Sequence, residues 1–281
     1  YNLPTFRRNL RLMKARLDPD SLFIPVHETG SIAHKSVFGG MTTLSAQIGQ
    51  FVISTATTVV LARLLTPADF GLIGMVAVIT NFVAVFKSAG LSMATVQKEV
   101  ITRDQISTLF WVNVIISLSL GLLVLAASPL VAFFYGKPEL TGVTAVLSVS
   151  FIISGLTVQH QALLKRHMKF GALAVITIAA QISHLLAAIV LAKLGLGYWA
   201  LVGGGIARAF VNTLLTFVFC PWVPSRMKRG TGVQNMIWFG GHLTGFNFIN
   251  YFSRNSDYIL IGKYLGANTL GLYTKAYHMF L

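Results

Sequence analysis

Runs of about twenty apolar residues, separated by short polar and basic clusters, recur along the whole chain. A helix rises about 1.5 Å per residue and a bilayer core is roughly 30 Å thick, so each run has the length of one membrane-crossing helix. Seven are complete, over residues 41–62, 70–89, 106–134, 141–162, 171–192, 198–220 and 236–262, and an eighth begins near Leu270. The third is long enough to tilt or to break near Pro129. Trp111, Trp199, Trp222 and Trp238 fall near run ends, where amphipathic rings favour the headgroup zone. This pattern predicts an all-α polytopic membrane protein and excludes a β-barrel, whose strands would alternate with a period of two. The chain starts at Tyr1 and ends inside an apolar run, so a longer natural protein is expected.

Composition agrees. Charged residues make up 11% of the 281 and hydrophobic ones 54%, with a mean hydropathy of +0.70, whereas soluble domains carry about 25% charged residues. Twenty-two basic residues against eight acidic ones leave a net +14. In a soluble protein that excess would suggest nucleic acid, so its placement decides the matter. Arg7, Arg8, Arg11, Lys14, Arg16 and Lys35 precede the first run, and Lys87, Lys98 and Arg103 lie between the second and third. Lys165, Arg166 and Lys169 follow the fourth, and Arg226, Lys228 and Arg229 follow the sixth. The alternate connections hold one cation each, Arg63, Lys137, Lys193 and Lys263. By the positive-inside rule the N-terminus and every even connection face the cytoplasm, and no nucleic-acid partner is expected. Cys220 stands alone in the chain, which excludes an intrachain disulfide and a cysteine-clustered metal site. Residues 6–17 (FRRNLRLMKARL) form either a basic amphipathic stretch on the inner leaflet or a disordered tail, and they lack the apolar core of a secretory signal.

An internal repeat organises the rest. Residues 61–73 (LARLLTPADFGLI) lie over residues 261–273 (IGKYLGANTLGLY) without a gap: an apolar helix ends in a cation, crosses a short connection and restarts at a Gly-Leu. The same offset aligns Gln47 with Asn247, Gln50 with Asn250, Ser54 with Arg254 and Thr57 with Asp257. Six spans separate the copies, so both run the same way through the membrane. Parallel repeats about an axis along the membrane normal predict two six-helix lobes with a substrate path between them, a transporter architecture. The expected divisions are a basic cytoplasmic segment (1–40), an N-terminal six-helix lobe (41–220), a cytoplasmic inter-lobe linker (221–235) and the start of a second lobe (236–281).

Asn247, Asn250, Arg254 and Asp257 are spaced at three, four and three residues, which confines them to an arc of roughly 80° on a helix. A charge near mid-bilayer costs on the order of 3 kcal/mol on insertion scales, so such a face turns to protein or water. It either lines a cavity or braces the helix through an Arg254–Asp257 pair at i, i+3. Gln47, Gln50, Ser54 and Thr57 repeat the register uncharged and serve either as packing polar groups or as the facing wall. Arg208 sits near the middle of the sixth run, too deep to snorkel easily, and is a candidate to face the cavity. Lys87 is placed to snorkel, Lys275 is intermediate, and His184 reads as a packing residue.

Catalytic patterns are near misses. No Walker A sequence occurs, His27-Glu28 lacks a second histidine at Ser31, and Gly90-Leu91-Ser92-Met93-Ala94 reads as a Gly-Ser connection leaving the second span rather than a nucleophile turn. Outer-side carboxylates are limited to Asp69 and Glu139, so paired acids for general acid/base chemistry are not visible. No catalytic residue, cofactor or metal is expected. A membrane glycosyltransferase or an intramembrane protease is the weaker alternative.

Residues 62–76 (ARLLTPADFGLIGMV), 165–170 (KRHMKF) and 250–277, with an Arg-Asn-Ser-Asp core at 254–257, resemble the Wzx-type oligosaccharide flippases, also called polysaccharide biosynthesis or export proteins. These belong to the multidrug/oligosaccharidyl-lipid/polysaccharide exporter superfamily. The resemblance runs from about Gly30 to the end. It implies a MATE-like fold of two six-helix lobes, of which this chain holds spans one to seven and part of the eighth. It further implies flipping of undecaprenyl-pyrophosphate-linked oligosaccharide across the bacterial inner membrane, alongside a polysaccharide polymerase and glycosyltransferases. On that view Arg254, Asn250, Asn247, Arg208, Gln47 and Gln50 contact the anionic headgroup and Asp257 is a candidate for ion or proton coupling. The runner-up is a cation-coupled multidrug or metabolite exporter of the same superfamily.

Overall fold

The computed structural model describes residues 32–98, 100–228, 230 and 232–280. The segment 1–31, including the basic stretch at 6–17 and His27-Glu28, lies outside the described residues, as does Arg229. Those described form α-helices: α1 (Ile32–Leu64), α2 (Pro67–Gln97), α3 (Arg103–Tyr135), α4 (Glu139–Gly155), α5 (Val158–Arg166), α6 (Phe170–Lys193), α7 (Trp199–Phe219), α8 (Gln234–Tyr264) and α9 (Gly266–Phe280). Among them α1, α3, α6 and α7 are long and apolar enough to cross a membrane, and the bent pair α4–α5 makes a fifth. Helices α2 and α8 have 31 residues each. The chain is an all-α, multi-pass membrane protein.

Local chemistry sets the helix ends. Thr66 caps α2, accepting from Asp69 N while Asp69 Oδ2 accepts from Thr66 N at 2.9 Å, and Pro67 fills the first turn. Thr102 and Gln105 repeat the reciprocal arrangement at the start of α3. Gly136, at φ 65°, ends α3 in the left-handed conformation that costs glycine least.

Three sequence expectations are settled, the first between two alternatives and the others by correction. Helix α3 runs unbroken through Pro129; the carbonyl that proline leaves without its helical donor, Leu125 O, accepts from Ser128 Oγ at 2.8 Å. The fourth span, read as one run over 141–162, breaks between α4 and α5 with a 42° bend. There Ser154 and Thr157 turn their hydroxyls onto backbone carbonyls, Thr157 Oγ1 reaching Ser154 O at 2.8 Å. Close packing pins the break, since a β-carbon on Gly155 would fall 2.4 Å from Ser117 Cβ. Third, residues 90–94 continue α2 as helix, with Ser92 half-buried, and form no connection.

Helix α6 packs on α1 and α7, α3 on α4, and α2 on both α8 and α9. One apolar cluster joins the end of α2, the start of α3, α5, α6 and the segment after α7, through Leu91, Ile106, Leu109, Leu163, Ile176 and Trp222. A second, around Met75, Val131, Leu140, Val202 and Leu270, joins the other ends of α2, α3 and α4 to α7 and α9. Many large apolar side chains stay outside, Phe133 at 87% exposure, as expected where lipid is the solvent. Trp222 departs from its expected headgroup position, being 2% exposed inside the first cluster.

The tightest approach joins α2 to α9. A β-carbon at Gly71 would fall 1.6 Å from the Ala267 carbonyl oxygen, and one at Gly271 would fall 2.1 Å from the Pro67 carbonyl oxygen. Pro67 aligns with Ala267 and Gly71 with Gly271 in the gapless register. Helices α1 and α8 also end at aligned residues, Leu64 and Tyr264, with the same closing bond of 2.9 Å, Leu65 N to Leu61 O and Leu265 N to Ile261 O.

Candidate functional site

Helix α8 is continuous from Gln234 to Tyr264, so Asn247, Asn250, Arg254 and Asp257 share one arc of its backbone. The side chains of Asn247, Asn250 and Arg254, like those of Lys87 and Lys275, lie outside the described residues. Asp257 is half-buried, and its Oδ2 accepts a 2.6 Å hydrogen bond from Tyr273 Oη of α9. Tyr258 meets the Tyr273 ring edge-on with centroids 5.5 Å apart. Further back along α8, Tyr251 Oη donates to the Val78 carbonyl of α2 at 2.5 Å. A carboxylate removed from water needs a donor. Tyr273 supplies one, and sequence spacing within α8 gave no sign of it because the donor comes from the next helix.

The four uncharged matches on α1 divide. Gln47 and Ser54 are exposed and Gln50 is half-buried, whereas Thr57 is buried with its hydroxyl on Ile53 O at 2.7 Å. Thr57 is therefore spent within its own helix, on the stripe that packs against α6. Arg208 is exposed on α7. Helical spacing puts it on the side opposite the exposed apolar residues Phe210, Leu214 and Phe217 and one turn from Asn212. Among the described residues the helices packed most closely on α8 are α2 and α9, and α1 and α7 are not among them. His184 is half-buried against Gly204, where an added β-carbon would lie 2.9 Å from its Nδ1.

A second polar group, around the break in span four, was not singled out from the sequence. Gln159 Oε1 accepts from Thr95 Oγ1 of α2 at 2.9 Å, and Gln161 Nε2 donates to Asn212 Oδ1 of α7 at 2.8 Å. Between them His160 is fully buried, with Nε2 3.0 Å from the Trp222 carbonyl and Nδ1 3.1 Å from the Leu156 carbonyl. Arg166 Nη1 donates to the carbonyls of Thr95, at 3.1 Å, and Lys98. The signal was the run Gln159-His160-Gln161 inside an apolar span, where three successive polar residues cannot share one helix face.

The segment following α7 is strapped to α3. Ser225 donates from both N and Oγ to the buried Ser107 Oγ, at 3.1 and 2.9 Å, and its carbonyl accepts from Trp111 Nε1 at 2.9 Å. Lys228 pairs with Asp104 at 2.9 Å on the exposed rim.

Residues 60–281 match the polysaccharide biosynthesis protein family. The chain is similar to the teichuronic acid biosynthesis protein TuaB of Bacillus subtilis, 28% identical over 71% of this chain and 42% of that protein. It is also similar to the succinoglycan biosynthesis transport protein ExoT of Rhizobium meliloti, 28% identical over 82% of this chain and 47% of ExoT. The lipopolysaccharide biosynthesis protein WzxC of Escherichia coli is 23% identical over 89% of this chain and 51% of WzxC. The chain thus spans about half the length of these relatives. No solved structure matches it significantly. With the matched region covering the α1–α2 corner, the strap and the whole α8–α9 corner, this chain belongs to the polysaccharide biosynthesis protein family, as its Wzx-type sequence blocks implied.

Proposed function

We propose that this chain is the first lobe and the start of the second lobe of a transporter that flips undecaprenyl-pyrophosphate-linked oligosaccharide from the cytoplasmic to the periplasmic leaflet of the bacterial inner membrane. The glycan is destined for exopolysaccharide, capsule or O-antigen, and a polymerase and glycosyltransferases act on either side of the step. The N-terminus and the even connections lie in the cytoplasm, following the distribution of basic residues. The supporting observation is the reciprocal contact of the two repeat corners, Gly71 on Ala267 and Gly271 on Pro67. When residue i of one copy meets residue j of the other and the reverse also holds, the copies are related by a two-fold axis between them. Two lobes joined at such an axis can rock about it and open a path to each side in turn.

The headgroup chemistry follows from the polar arc. A pyrophosphate taken through hydrocarbon loses its hydration, and a guanidinium with amide donors replaces it while the prenyl chain stays in lipid. Arg254, Asn250 and Asn247 supply that set from α8, with Arg208, Gln47 and Gln50 as the opposite wall. Asp257, held by Tyr273, is the candidate for ion or proton coupling. Similarity to a succinoglycan transport protein and a lipopolysaccharide biosynthesis protein supports a glycan cargo. The test is to express the full-length protein in a strain lacking its own flippase. Restored surface polysaccharide is expected; a stably inserted protein that leaves the surface bare sinks the proposal.

A further inference from the structure

Among the described residues His160 stands out as a buried titratable ring that the transport reading does not use. Both of its nitrogens face backbone carbonyl oxygens, Leu156 O at 3.1 Å and Trp222 O at 3.0 Å. A carbonyl can only accept, and a neutral imidazole has one N–H and one lone pair. In the neutral ring one nitrogen would therefore present its lone pair to a carbonyl oxygen. Only the imidazolium, with two N–H donors, satisfies both contacts.

Full burial costs a charged ring its hydration, so the imidazolium is held only while both carbonyl contacts are kept. Both contacts become charge-assisted hydrogen bonds when the ring is protonated, the kind of pairing a buried charge requires. Three aromatic rings enclose it, with centroids 4.7 Å away for Phe217, 5.2 Å for Trp222 and 5.8 Å for Phe110. Of the other elements packed on α5, α2 presents Thr95, already taken by Gln159, and α6 presents Leu173 and Ile176. Cys220 is buried at the start of the strap. No carboxylate among the described residues bonds the ring; Asp104 of α3 is paired with Lys228. Nearby cations are directed elsewhere: Arg166 onto the carbonyls of Thr95 and Lys98, Lys98 Nζ toward Met236 Sδ, and Lys165 into solvent.

The two acceptors belong to different parts of the chain. Leu156 is at the break in span four, and Trp222 is in the strap that leads from α7 to α8. We propose that His160 is a proton-binding site whose occupancy fastens the inter-lobe strap to the broken fourth span, and whose deprotonation releases the strap at Trp222. The Leu156 contact lies within one segment and survives in the neutral ring as a single N–H bond, so the Trp222 contact is the one surrendered. Ser225 and Lys228 stay on α3, which limits the release to residues near Trp222. Resting on the two-lobe reading, this makes the proton a ligand that biases how the lobes are coupled, from a residue distinct from Asp257.

The test places a nitroxide on Val223→Cys, an exposed strap position, in the full-length protein with Cys220→Ser, and compares label mobility at about pH 5 and about pH 8, which bracket imidazole titration. The ratio of docked to released strap is expected to fall roughly tenfold on going to the higher pH, as for loss of one charge-assisted hydrogen bond. His160→Gln, whose amide N–H donates without titrating, should stay docked at both, and His160→Ala should be released at both. Equal mobility in the parent at the two pH values, or a Gln variant that keeps the parent's pH response, overturns the proposal. Surface polysaccharide is scored separately: a responsive strap without export removes the flippase reading and leaves the proton site, while export with an unresponsive strap does the reverse.

Discussion

Gly71 and Gly271, two hundred residues apart in the chain, lie on opposite sides of one helix contact, each against the backbone carbonyl one turn before the other. Neither neighbour is a side chain that can swing away, so a methyl group at either position must push the helices apart. Gly71→Ala and Gly271→Ala are each expected to destabilise the folded protein by about 1 to 3 kcal/mol, read as a lowered Tm in detergent. Unchanged Tm in both would mean that α2 and α9 do not meet this closely.

On α8, Arg254→Ala should abolish export while leaving protein in the membrane. Arg254→Lys should be only partly tolerated, because an ammonium lacks the planar fork that grips two phosphate oxygens. Surface polysaccharide and immunoblot together provide the measurement. Normal export by Arg254→Ala would favour a bracing role over substrate contact.

Tyr273→Phe removes the donor from Asp257 and keeps the ring against Tyr258. Leaving a half-buried carboxylate without this partner should cost about 1 to 3 kcal/mol, and Asp257→Asn combined with Tyr273→Phe should cost less than the sum of the two. A double-mutant cycle on thermal unfolding checks the coupling; strict additivity would separate the two residues.

Two changes in the strap should differ in size. Ser107 is fully buried and accepts two hydrogen bonds from Ser225, so Ser107→Ala leaves both donors wanting and should cost about 1 to 3 kcal/mol. The Lys228–Asp104 pair is exposed, and Asp104→Asn should cost less than about 1 kcal/mol. Thermal unfolding of the two variants side by side decides the order.

What the sequence conveyed depended on how locally each feature is made. The α1–α2 corner was legible as a repeat, since residues 61–73 lie over 261–273 and both helix breaks fall at aligned places, but the cap of Thr66, Pro67 and Asp69, which starts α2 four residues before the Gly-Leu, was not read. The break in span four was hidden, because the contact that pins it, Gly155 on Ser117, joins positions on different helices. At Pro129 the sequence left a tilt and a break both open, and a neighbouring hydroxyl decided between them by repairing the helix that the proline would have opened. Trp222 was assigned to the headgroups from its place at a run end, yet His160 and Phe110 hold it inside. In the candidate site the arc on α8 followed from spacing alone, whereas Tyr273 became visible only once α9 was laid beside it.

The Gly71 contact also sets an order of events during biosynthesis. Helix α2 enters the membrane with its glycine face bare, and Gly271 is two hundred residues further along the message. At roughly 5 to 20 residues per second, synthesis takes about 10 to 40 s to deliver it. Lipid must occupy that face in the interval and be displaced when α9 arrives, so the joint between the two repeats is among the last parts of this chain to close.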